Sequence, residues 1–384
     1  MSIRAILPAE ATGTFLGRLS VPGRPAPVPV LITGDEVRDV SAVDPTLSGI
    51  LETPDLPRRL AESAARPAEW SVEDIRLPED DAGEDTPVLL APIDLQVIKA
   101  CGVTFAGSMV ERLIEERCDG DPGRAQAVRD ELASAVTADL AAIVPGSEQA
   151  SRLKEALLAK GWWSQYLEVG IGPDPEVFTK GPVLSAVGTG DAVGIPAFSE
   201  WSNPEPELVL VVDSHGEIRG VTMGNDVNLR DVEGRSALLL GMAKDNNRST
   251  AIGPLIRLFD DTFDLDAARA LDLTLTVTGD SGYELRGVNS VRALSRPFED
   301  LVAAAHGRHH QYPDGFVLFT GTLFAPTEDR GTAGLGFTHH LGDRVTIASD
   351  RLGVLANTVG GAEDLPTWDY GIRALFRDLA AGQR

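Results

Sequence analysis

The chain contains few cysteines, few aromatic residues and few basic residues. Its 384 residues include only two cysteines, Cys101 and Cys118, which cannot form a disulfide framework and are typical of a reducing compartment. Cys101 lies in an apolar run without a nearby histidine, so it is interpreted as a core residue. Lysine and arginine number 34 against 58 acidic residues, which gives a formal net charge of −24. Such a surface repels a phosphate backbone, and we therefore expect no nucleic-acid partner.

Long apolar segments are also absent. Nowhere do 18 consecutive apolar residues occur, and the first 14 residues lack the apolar stretch of a signal peptide. We therefore expect no transmembrane helix, no membrane partner and a cytoplasmic location. Hydrophobic residues still make up 43% of the chain. By length, the chain could hold one large domain or two domains.

The two halves of the sequence differ in periodicity. Apolar residues at three- and four-residue spacing predict helices at 57–66, 108–118, 123–145, 148–160 and 368–381. Residues 73–87 are acidic and contain proline and glycine, which predicts an exposed linker. From about 175 to 360, short strand-like runs alternate with turn residues rather than with helices, which disfavours a doubly wound parallel sheet.

These patterns together predict an α+β protein whose core is mainly β. We expect a small N-terminal α/β domain with its linker over residues 1–86. A larger domain over residues 87–384 would carry the functional site.

One predicted β-hairpin carries three acidic residues. Glu205 and Glu207 are two positions apart, so an extended strand points both carboxylates to the same face. A Ser-His-Gly turn centred on His215 would place Glu205 opposite Asn225. Asp226 would then lie within about one residue of Glu205.

Carboxylates brought together in this way repel one another unless a cation lies between them. Hard oxygen ligands favour Mg²⁺, with Mn²⁺ or Ca²⁺ as alternatives, and three protein ligands leave coordination positions for water and substrate. The competing interpretation makes Glu205 and Glu207 protective charges on an edge strand and Asp226 a turn cap. Spacing alone leaves the two interpretations level, because E-x-E is a common string.

Several motifs, taken in order over residues 95–360, resemble those of the fumarylacetoacetate hydrolase superfamily. The E-x-E strand is followed by an N-D-x-x-x-R-D motif, a downstream lysine, a T-G-T loop and a closing G-x-L-x-N-x-V. In this sequence the motifs are Phe178–Pro182, Val187–Asp191, Glu205–Glu207, Asn225–Asp231, Lys244, Thr320–Thr322 and Gly353–Val359.

The resemblance implies a mixed β-sandwich roll, a 2-oxo acid as the small-molecule partner and a homodimer. It implies that Glu205, Glu207 and Asp226 hold Mg²⁺, which the carboxylate and keto oxygen of the substrate chelate. Lys244 is implied as a catalytic residue that stabilises an enolate. The implied substrate-binding residues are Lys180, Thr320, Gly321, Thr322, Phe105 and Arg230.

The segment after the first strand of the larger domain bears on the type of reaction. Hydrolytic members of the family carry N-Y-A-D-H-x-x-E, whose histidine and glutamate activate water. Here Glu111 is retained, whereas Ser108 replaces the histidine. A serine hydroxyl without a base does not deprotonate water at neutral pH, which is evidence against C–C bond hydrolysis. Histidines at 306, 309, 310, 339 and 340 could still approach from other loops.

The N-terminal region and the stretch G-V-T-F-A-G-S-M-V-E-R are similar to the branch of the family that dehydrates 2-keto-3-deoxy sugar acids. That resemblance implies conversion of 2-keto-3-deoxy-D-arabinonate, identical to the D-xylonate derivative, into 2,5-dioxopentanoate (α-ketoglutarate semialdehyde) in pentose catabolism. Glu111 would remove a C3 proton, the metal and Lys244 would stabilise the enolate, and Ser108 would bind a substrate hydroxyl. The alternatives are an acylpyruvate or fumarylacetoacetate-type hydrolase, an oxaloacetate decarboxylase, and a non-catalytic 2-oxo-acid binding protein.

Overall fold

The secondary-structure elements come from a computed structural model that describes residues 3–8, 13–79, 85–119, 121–135, 143–323, 328–330 and 336–382. The helices are α1 Leu47–Leu51, α2 Leu56–Ala64, α3 Ala106–Arg117, α4 Ala125–Ala135, α5 Glu148–Ala159, α6 Gln165–Ile171, α7 Arg230–Glu233, α8 Leu240–Lys244, α9 Leu265–Arg269, α10 Phe298–Ala305 and α11 Ile372–Gly382. The strands are β1 Phe15–Ser20, β2 Val28–Thr33, β3 Glu36–Asp39, β4 Trp70–Ser71, β5 Val88–Leu90, β6 Val97–Gly102, β7 Glu176–Gly181, β8 Ala192–Ile195, β9 Ser202–Asn203, β10 Pro206–Val212, β11 Ile218–Asp226, β12 Asn228–Leu229, β13 Thr250–Leu258, β14 Asp272–Thr278, β15 Glu284–Ser290, β16 Phe316–Phe319, β17 Arg344–Ser349 and β18 Gly353–Gly361.

Most strands belong to two mixed sheets. The larger sheet has eleven strands in the order β4-β3-β2-β1-β13-β11-β10-β16-β6-β7, with β5 paired to β1. The smaller sheet has the order β15-β14-β17-β18-β8. Each sheet contains one parallel pair, β16 with β6 and β18 with β8, while the other pairs are antiparallel. The predicted α+β fold with a mainly β core is confirmed.

The apolar strand β10 shows how the sheets pack. Leu208 and Leu210 join a core cluster with side chains of β14 and β17, which belong to the smaller sheet. Val209 and Val211 point to the opposite face and pack with side chains of α1 and α2. A strand that is buried on both faces is expected to be apolar at every position rather than at alternate ones. The run of five apolar residues in β10 meets this requirement.

The N-terminal strands extend the larger sheet. β1 pairs with β13, and β5 pairs with β1, so strands from both sides of residue 86 share one sheet. The division of the chain at that residue stays a prediction. The exposed linker expected over 73–87 is wrong in part, because Ile75 and Leu77 are 0% and 1% exposed in a core cluster with β1 and β2. Residues 80–84 lie outside the described residues.

Helices α3–α6 are inserted between β6 and β7 and share their own apolar cluster. The helices predicted at 57–66, 108–118, 148–160 and 368–381 correspond to α2, α3, α5 and α11. The helix predicted to end at 145 is too long, because residues 143–145 are not helical. Gly146 adopts a positive φ of 72°, and the Ser147 side chain accepts the N–H of Ala150 as the N-cap of α5. Both features separate two helices at this point.

The length of the helices and the state of the two cysteines both bear on the setting of the chain. None of the helices in the described ranges is long and apolar enough to cross a membrane. Cys101 and Cys118 are both buried, and neither forms a disulfide in the described part of the chain.

Candidate metal centre

Three carboxylates meet where the hairpin of β10 and β11 opens. Pro206 pairs with Asn225, and the N–H of Asp226 donates to the carbonyl oxygen of Glu205 at 3.0 Å. Glu205, Glu207 and Asp226 each offer one carboxylate oxygen, and these three oxygens lie within 4.8 Å of one another. The side chains are buried, with only 2–3% of each residue exposed. The folded hairpin therefore brings the three carboxylates together.

The strand register differs from the prediction by one residue. Next to the turn, Val212 pairs with Ile218, as a hairpin centred on the Ser-His-Gly turn requires. Directly after this pair the register shifts, which leaves one residue of β11 as a β-bulge. The predicted pairing of Glu205 with Asn225 is therefore wrong. The bulge places Asp226 opposite Glu205 and so brings the two carboxylates closer together than predicted.

Cationic side chains contact this cluster from two helices. From α8, Lys244 Nζ donates to Glu205 Oε2 at 2.5 Å and to Asp226 Oδ2 at 3.1 Å. From α3, Arg112 Nη2 donates to Glu205 Oε1, and its Nη1 lies 2.9 Å from Glu233 Oε2. Both oxygens of Glu205 are thus bonded to a cation, and Lys244 bridges two of the three carboxylates.

Lys180 lies behind Asp226 and is completely buried. Its Nζ is 3.1 Å from Asp226 Oδ1 in an ion pair that lacks hydrogen-bond geometry. The ammonium donates instead to the carbonyl of Lys244 and to Ser249, at 3.0 Å to its carbonyl and 3.1 Å to its hydroxyl. Lys180 therefore joins the end of α8 to the loop before β13. It is not among the residues that line the cleft described below.

Burial and neighbouring charge shift the pKa values in opposite directions. Burial alone would raise the pKa of Glu205, but Lys244 and Arg112 lower it below the ordinary value. Burial raises the pKa of Glu207 well above the ordinary value, and Asp226 and Glu205 raise it further. Burial would lower the pKa of Lys244, yet the two carboxylates that it contacts raise it, so the ammonium form is favoured.

The charges around the cluster do not balance. Among the described residues, five carboxylates line the cleft, and three cations, Arg112, Lys180 and Lys244, contact them. The formal excess is two negative charges in a site from which water is largely excluded. Buried charge of one sign is costly unless it is compensated. A divalent cation with oxygen ligands would compensate it, so the residues present fit such an ion. The five carboxylates are those of Glu176, Glu205, Glu207, Asp226 and Glu233.

The T-G-T loop after β16 closes one side of the cluster. The N–H of Gly321 donates to Glu207 Oε2 at 2.6 Å. Gly321 has a φ of 91°, and a Cβ there would lie 1.9 Å from the hydroxyl of Thr104, so no larger residue fits. The hydroxyl of Thr320 donates to the carbonyl of Leu208 at 3.0 Å and thereby holds the loop to β10. Thr322 lines the cleft, whereas Thr320 does not.

The cleft above the carboxylates is narrow: about 20 Å³ of it admits a water-sized molecule, and its total empty space, including space open to solvent, is about 330 Å³. Its walls come from β6, α3, β7, the hairpin, α8 and the T-G-T loop. None of the six histidines of the chain, all of which lie in the described ranges, is among the lining residues. The lining residues are Cys101, Gly102, Val103, Arg112, Glu176, Phe178, Glu205, Glu207, Asp226, Glu233, Lys244, Gly321 and Thr322.

Comparison with known families agrees with the order of the motifs. The family model of the fumarylacetoacetate (FAA) hydrolase C-terminal region matches residues 168–360, which is half of the chain. The chain belongs to the fumarylacetoacetate hydrolase family. The resemblance inferred from the motifs is confirmed, and the matched region contains all three carboxylates of the cluster.

Two curated proteins are similar to parts of the chain. A protein of Haloferax volcanii, named "Probable 2-keto-3-deoxyxylonate dehydratase", is 34% identical over 194 residues, which cover 50% of this chain and 63% of that protein. The "2-dehydro-3-deoxy-D-arabinonate dehydratase" of Saccharolobus solfataricus is 34% identical over 157 residues, 41% of this chain and 51% of that protein. The chain therefore matches less than two thirds of the length of either relative.

A solved structure shares the fold over nearly its whole length. It is that of 2-keto-3-deoxy-D-arabinonate dehydratase complexed with magnesium and 2,5-dioxopentanoate. The TM-score is 0.63 at 21% identity, and the alignment covers 90% of this chain and 99% of the other. At this identity the likeness establishes the fold.

Not every residue singled out from the family motifs lies at the cleft. Arg230 is 1% exposed, and its guanidinium stacks 4.3 Å above the ring of Trp201. Phe105 is 2% exposed and precedes α3 as its N-cap residue. Neither is among the lining residues, and their part in substrate binding stays a prediction. Ser108 and Glu111 belong to α3, but their side chains lie outside the described part of the chain.

The sequence patterns missed three charged residues at the cleft. Arg112 follows Glu111 in α3, Glu233 ends α7, and Glu176 begins β7. Glu176 pairs with Gly102 across β6 and β7, and a Cβ at that glycine would lie 1.9 Å from a Glu176 carboxylate oxygen. Glu176 and Phe178 are two positions apart in β7, so strand alternation alone could have predicted that their side chains share a face. Nothing local marked Arg112 or Glu233.

Proposed function

We propose that the chain is a metal-dependent dehydratase of a 2-keto-3-deoxy sugar acid, with 2-keto-3-deoxy-D-arabinonate or D-xylonate as substrate and 2,5-dioxopentanoate as product, in pentose catabolism. The observation that carries the proposal is the convergence of Glu205, Glu207 and Asp226 with an excess of negative charge around them. The two curated relatives support the substrate class by their names, and the solved neighbour was obtained with magnesium and 2,5-dioxopentanoate.

Glu205, Glu207 and Asp226 would hold the cation, for which Mg²⁺ is the best candidate. Mg²⁺ bound there would polarise the C2 ketone of the substrate and thereby acidify the C3 protons. Arg112 contributes by bonding Glu205 Oε1, which fixes the orientation of that carboxylate. Gly321 does the same for Glu207 through its N–H. These contacts preorganise the ligand oxygens before a cation binds.

Glu176 is the described carboxylate best suited to move protons. It lines the cleft, and it is separate from the three proposed ligands. Burial raises the pKa of Glu176, and Arg112 and Lys244 offset this only in part, so the carboxylate is a stronger base than an exposed glutamate. It would take one C3 proton and return a proton to the C4 hydroxyl, which leaves as water. Tautomerisation of the resulting unsaturated product gives the aldehyde. Glu111 remains the alternative base.

Lys244 and the T-G-T loop would bind the rest of the substrate. The ammonium of Lys244 lies at the floor of the cleft, where it would stabilise negative charge on the enolate oxygen. Thr322 lines the same cleft, and its loop would hold the substrate carboxylate. Ser108 would hydrogen-bond a substrate hydroxyl.

The hydrolase alternative lacks its usual base. Ser108 stands where hydrolytic relatives carry a histidine, and none of the six histidines lines the cleft. C–C bond hydrolysis would therefore lack the histidine base that activates water in the hydrolytic members. This observation favours dehydration over hydrolysis of an acylpyruvate.

A coupled assay tests the proposal. Purified protein with Mg²⁺ and 2-keto-3-deoxy-D-pentonate should release 2,5-dioxopentanoate, which an added aldehyde dehydrogenase converts with formation of NADH or NADPH. The control is the same reaction with Glu284→Gln, which changes an exposed carboxylate of β15. That variant should react like the unaltered protein.

Two other outcomes would replace the proposal. Release of pyruvate from an acylpyruvate, without product from the sugar acid, would assign hydrolysis. Heat of binding from a 2-oxo acid without turnover of any substrate would assign a binding protein.

The family resemblance also leads us to propose a homodimer. Large apolar side chains such as Leu341 and Phe376, 63% and 62% exposed, would be suited to an interface. Light scattering coupled to gel filtration should give twice the 40.8 kDa mass of the chain. A mass of one chain at micromolar concentration would refute the dimer.

A further inference from the structure

A second cavity lies away from the metal centre, between the β1–β2 hairpin, residues 184–191 and the C-terminal segment 367–370. Its volume is about 340 Å³, which falls within the range of small-molecule sites. It shares no lining residue with the cleft of the metal centre.

The most informative residue of this cavity is Arg18 of β1, whose side chain is 7% exposed. Its Nη1 donates to the carbonyls of Ala91 and Ile93. Its Nε lies 3.9 Å from Asp94 Oδ2, too far for a hydrogen bond, and that carboxylate already accepts the N–H of Leu47 at 2.7 Å. Both of these hydrogen bonds come from Nη1, and Arg18 Nη2 makes none to another described residue.

A buried guanidinium with an unused donor favours an anion. Burial lowers the pKa of Arg18, and the nearby carboxylate of Asp94 compensates only in part. A charge-assisted hydrogen bond from an arginine to a carboxylate is stronger than one to a neutral carbonyl. A ligand carboxylate that reached Arg18 would supply the missing acceptor and part of the missing charge.

Two more arginines line the cavity, and each has a carboxylate nearby. Arg248 Nη1 lies 3.3 Å from the carbonyl of Ala192 and 3.6 Å from Asp191 Oδ1, and Arg24 donates to Asp39 at 3.2 Å. Asp191 and Asp369 also line the cavity, and together with Asp39 and Asp94 the described carboxylates around the three arginines number four, so it is the unused donor of Arg18 rather than net charge that favours an anion. The formal net charge of the whole chain is −24. Non-specific attraction of anions to the rest of the surface is therefore weak.

The remaining walls are apolar. Leu90, Leu184 and Val187 contribute aliphatic surface, and Trp368, 41% exposed, contributes an aromatic ring. A bare inorganic anion would leave these walls in contact with water. An organic anion would bury them, and the apolar contact would add to its affinity.

We propose that this cavity is a binding site for a small organic carboxylate, which accepts a hydrogen bond from Arg18 and packs its apolar body against Trp368 and the aliphatic wall. The site is distinct from the metal centre, although both contact the same strand. The N–H of Val187, in the cavity wall, donates to the carbonyl of Thr250 at 3.0 Å, and Thr250 pairs with Asp226. The test must therefore separate the two sites.

Calorimetric titration of the full chain with benzoate, inorganic phosphate and benzyl alcohol tests the proposal. Benzoate carries both the charge and the apolar body, whereas the other two probes carry one of them each. Benzoate should bind with a saturable isotherm and at least ten times more tightly than either. The fluorescence of Trp368 should change with the same Kd, and Trp368→Phe should remove that signal.

Substitutions in the cavity should weaken benzoate. Ser20→Trp fills the cavity from an exposed position at the end of β1 and should raise the Kd roughly tenfold or more by exclusion. Arg18→Met should have a similar effect, equal to the loss of one charge-assisted hydrogen bond. Because Arg18→Met also removes bonds to two carbonyls and could impair folding, Ser20→Trp carries the test independently.

Two controls locate the binding. Arg286→Met removes an exposed arginine of β15, far from the cavity lining, and should leave the Kd unchanged. Glu207→Gln alters the metal centre and should also bind benzoate normally. Equal affinity in the unaltered chain and Ser20→Trp would overturn the proposal. Loss of benzoate binding in Glu207→Gln would also overturn the proposal, because it would place benzoate in the metal centre. That result would leave the proposed function intact.

Discussion

Two buried ionic clusters in this chain use similar side chains but differ in charge balance. In the metal centre, five described carboxylates face three cations. In the second cluster, Arg330 Nη2 donates to Asp343 Oδ1 at 2.7 Å, and His339 Nδ1 lies 3.4 Å from Asp343 Oδ2. The guanidinium of Arg330 also stacks 4.1 Å above the ring of Tyr283. One carboxylate and one arginine compensate each other there.

The difference separates a site that needs a ligand from one that holds the fold. In a balanced, hydrogen-bonded ion pair the attraction between the partners offsets the free energy of removing them from water. Removal of one partner leaves the other charge buried and destabilises the fold. An unbalanced cluster is stable only when something from solution supplies the missing charge. We therefore expect substitutions in the first cluster to change ligand binding and turnover, and those in the second to change stability.

The largest expected effect is that of Glu207→Gln. The amide keeps the shape and can still accept the N–H of Gly321, but it removes one charged ligand. Binding of Mn²⁺, followed by electron paramagnetic resonance, should weaken at least 100-fold, and turnover should fall by ~10³-fold or more. Circular dichroism should remain that of the folded protein. Full activity of this variant in the presence of EDTA would refute the metal centre.

Glu176→Gln should separate proton transfer from metal binding. The amide cannot exchange a proton, so kcat should fall by about 10²–10⁴-fold while the affinity for Mn²⁺ stays unchanged. The matched variant is Glu111→Gln, which changes the alternative base. Normal turnover in Glu176→Gln with a large loss in Glu111→Gln would contradict the role given to Glu176.

The sequence predicted the local part of this site well. The apolar run of β10 and the Ser-His-Gly turn defined a hairpin, and strand alternation put Glu205 and Glu207 on one face. The one-residue error in the pairing of Asp226 arose from the bulge beside the turn, which the turn residues do not signal. The convergence of the three carboxylates survived that error because the bulge shifted Asp226 toward its partner.

The surroundings of the site could not be predicted in the same way. Arg112 and Glu233 reach the cleft from helices that the sequence separates by more than 100 residues. No local periodicity encodes such a contact. The motif around Arg230 suggested substrate binding, but it did not indicate that the guanidinium stacks on Trp201 and is buried. Motifs identify which residues matter, but only tertiary packing shows what each one contacts.

A charge removed from the balanced cluster should cost stability instead of activity. Asp343→Asn leaves the guanidinium of Arg330, with 5% of its side chain exposed, without a counter-charge. The free energy of unfolding should fall by about 3–5 kcal/mol, as measured by chemical denaturation. The affinity of the folded variant for Mn²⁺ should equal that of the unaltered chain. A loss of Mn²⁺ affinity comparable to that of Glu207→Gln would show that the two clusters are not independent.

The smallest predicted effect is a pH dependence that belongs to the balanced cluster alone. Burial lowers the pKa of His339, although Asp343 partly offsets it, and Arg330 and His340 lower it further. Nε2 of His339 is buried and has no hydrogen-bond partner within the described ranges, so protonation there would bury an unsatisfied N–H. The unfolded chain, with a histidine pKa of about 6.5, therefore binds a proton at a higher pH than the folded chain does.

The contribution of His339 to stability should consequently be complete above about pH 6.5 and should be lost as the pH falls through the lower folded pKa. Below pH 6.5 the free energy of unfolding should decrease with a slope of up to about 1.4 kcal/mol per pH unit. His339→Gln, which removes the titrating group, should reduce this slope between pH 6.5 and pH 5. Asp343 does not titrate between pH 6.5 and pH 5. Burial alone would raise its pKa, but Arg330 and His339 lower it below the ordinary value of an aspartate. Identical slopes in the two proteins would show that the protonation of His339 is not what links this cluster to acid unfolding.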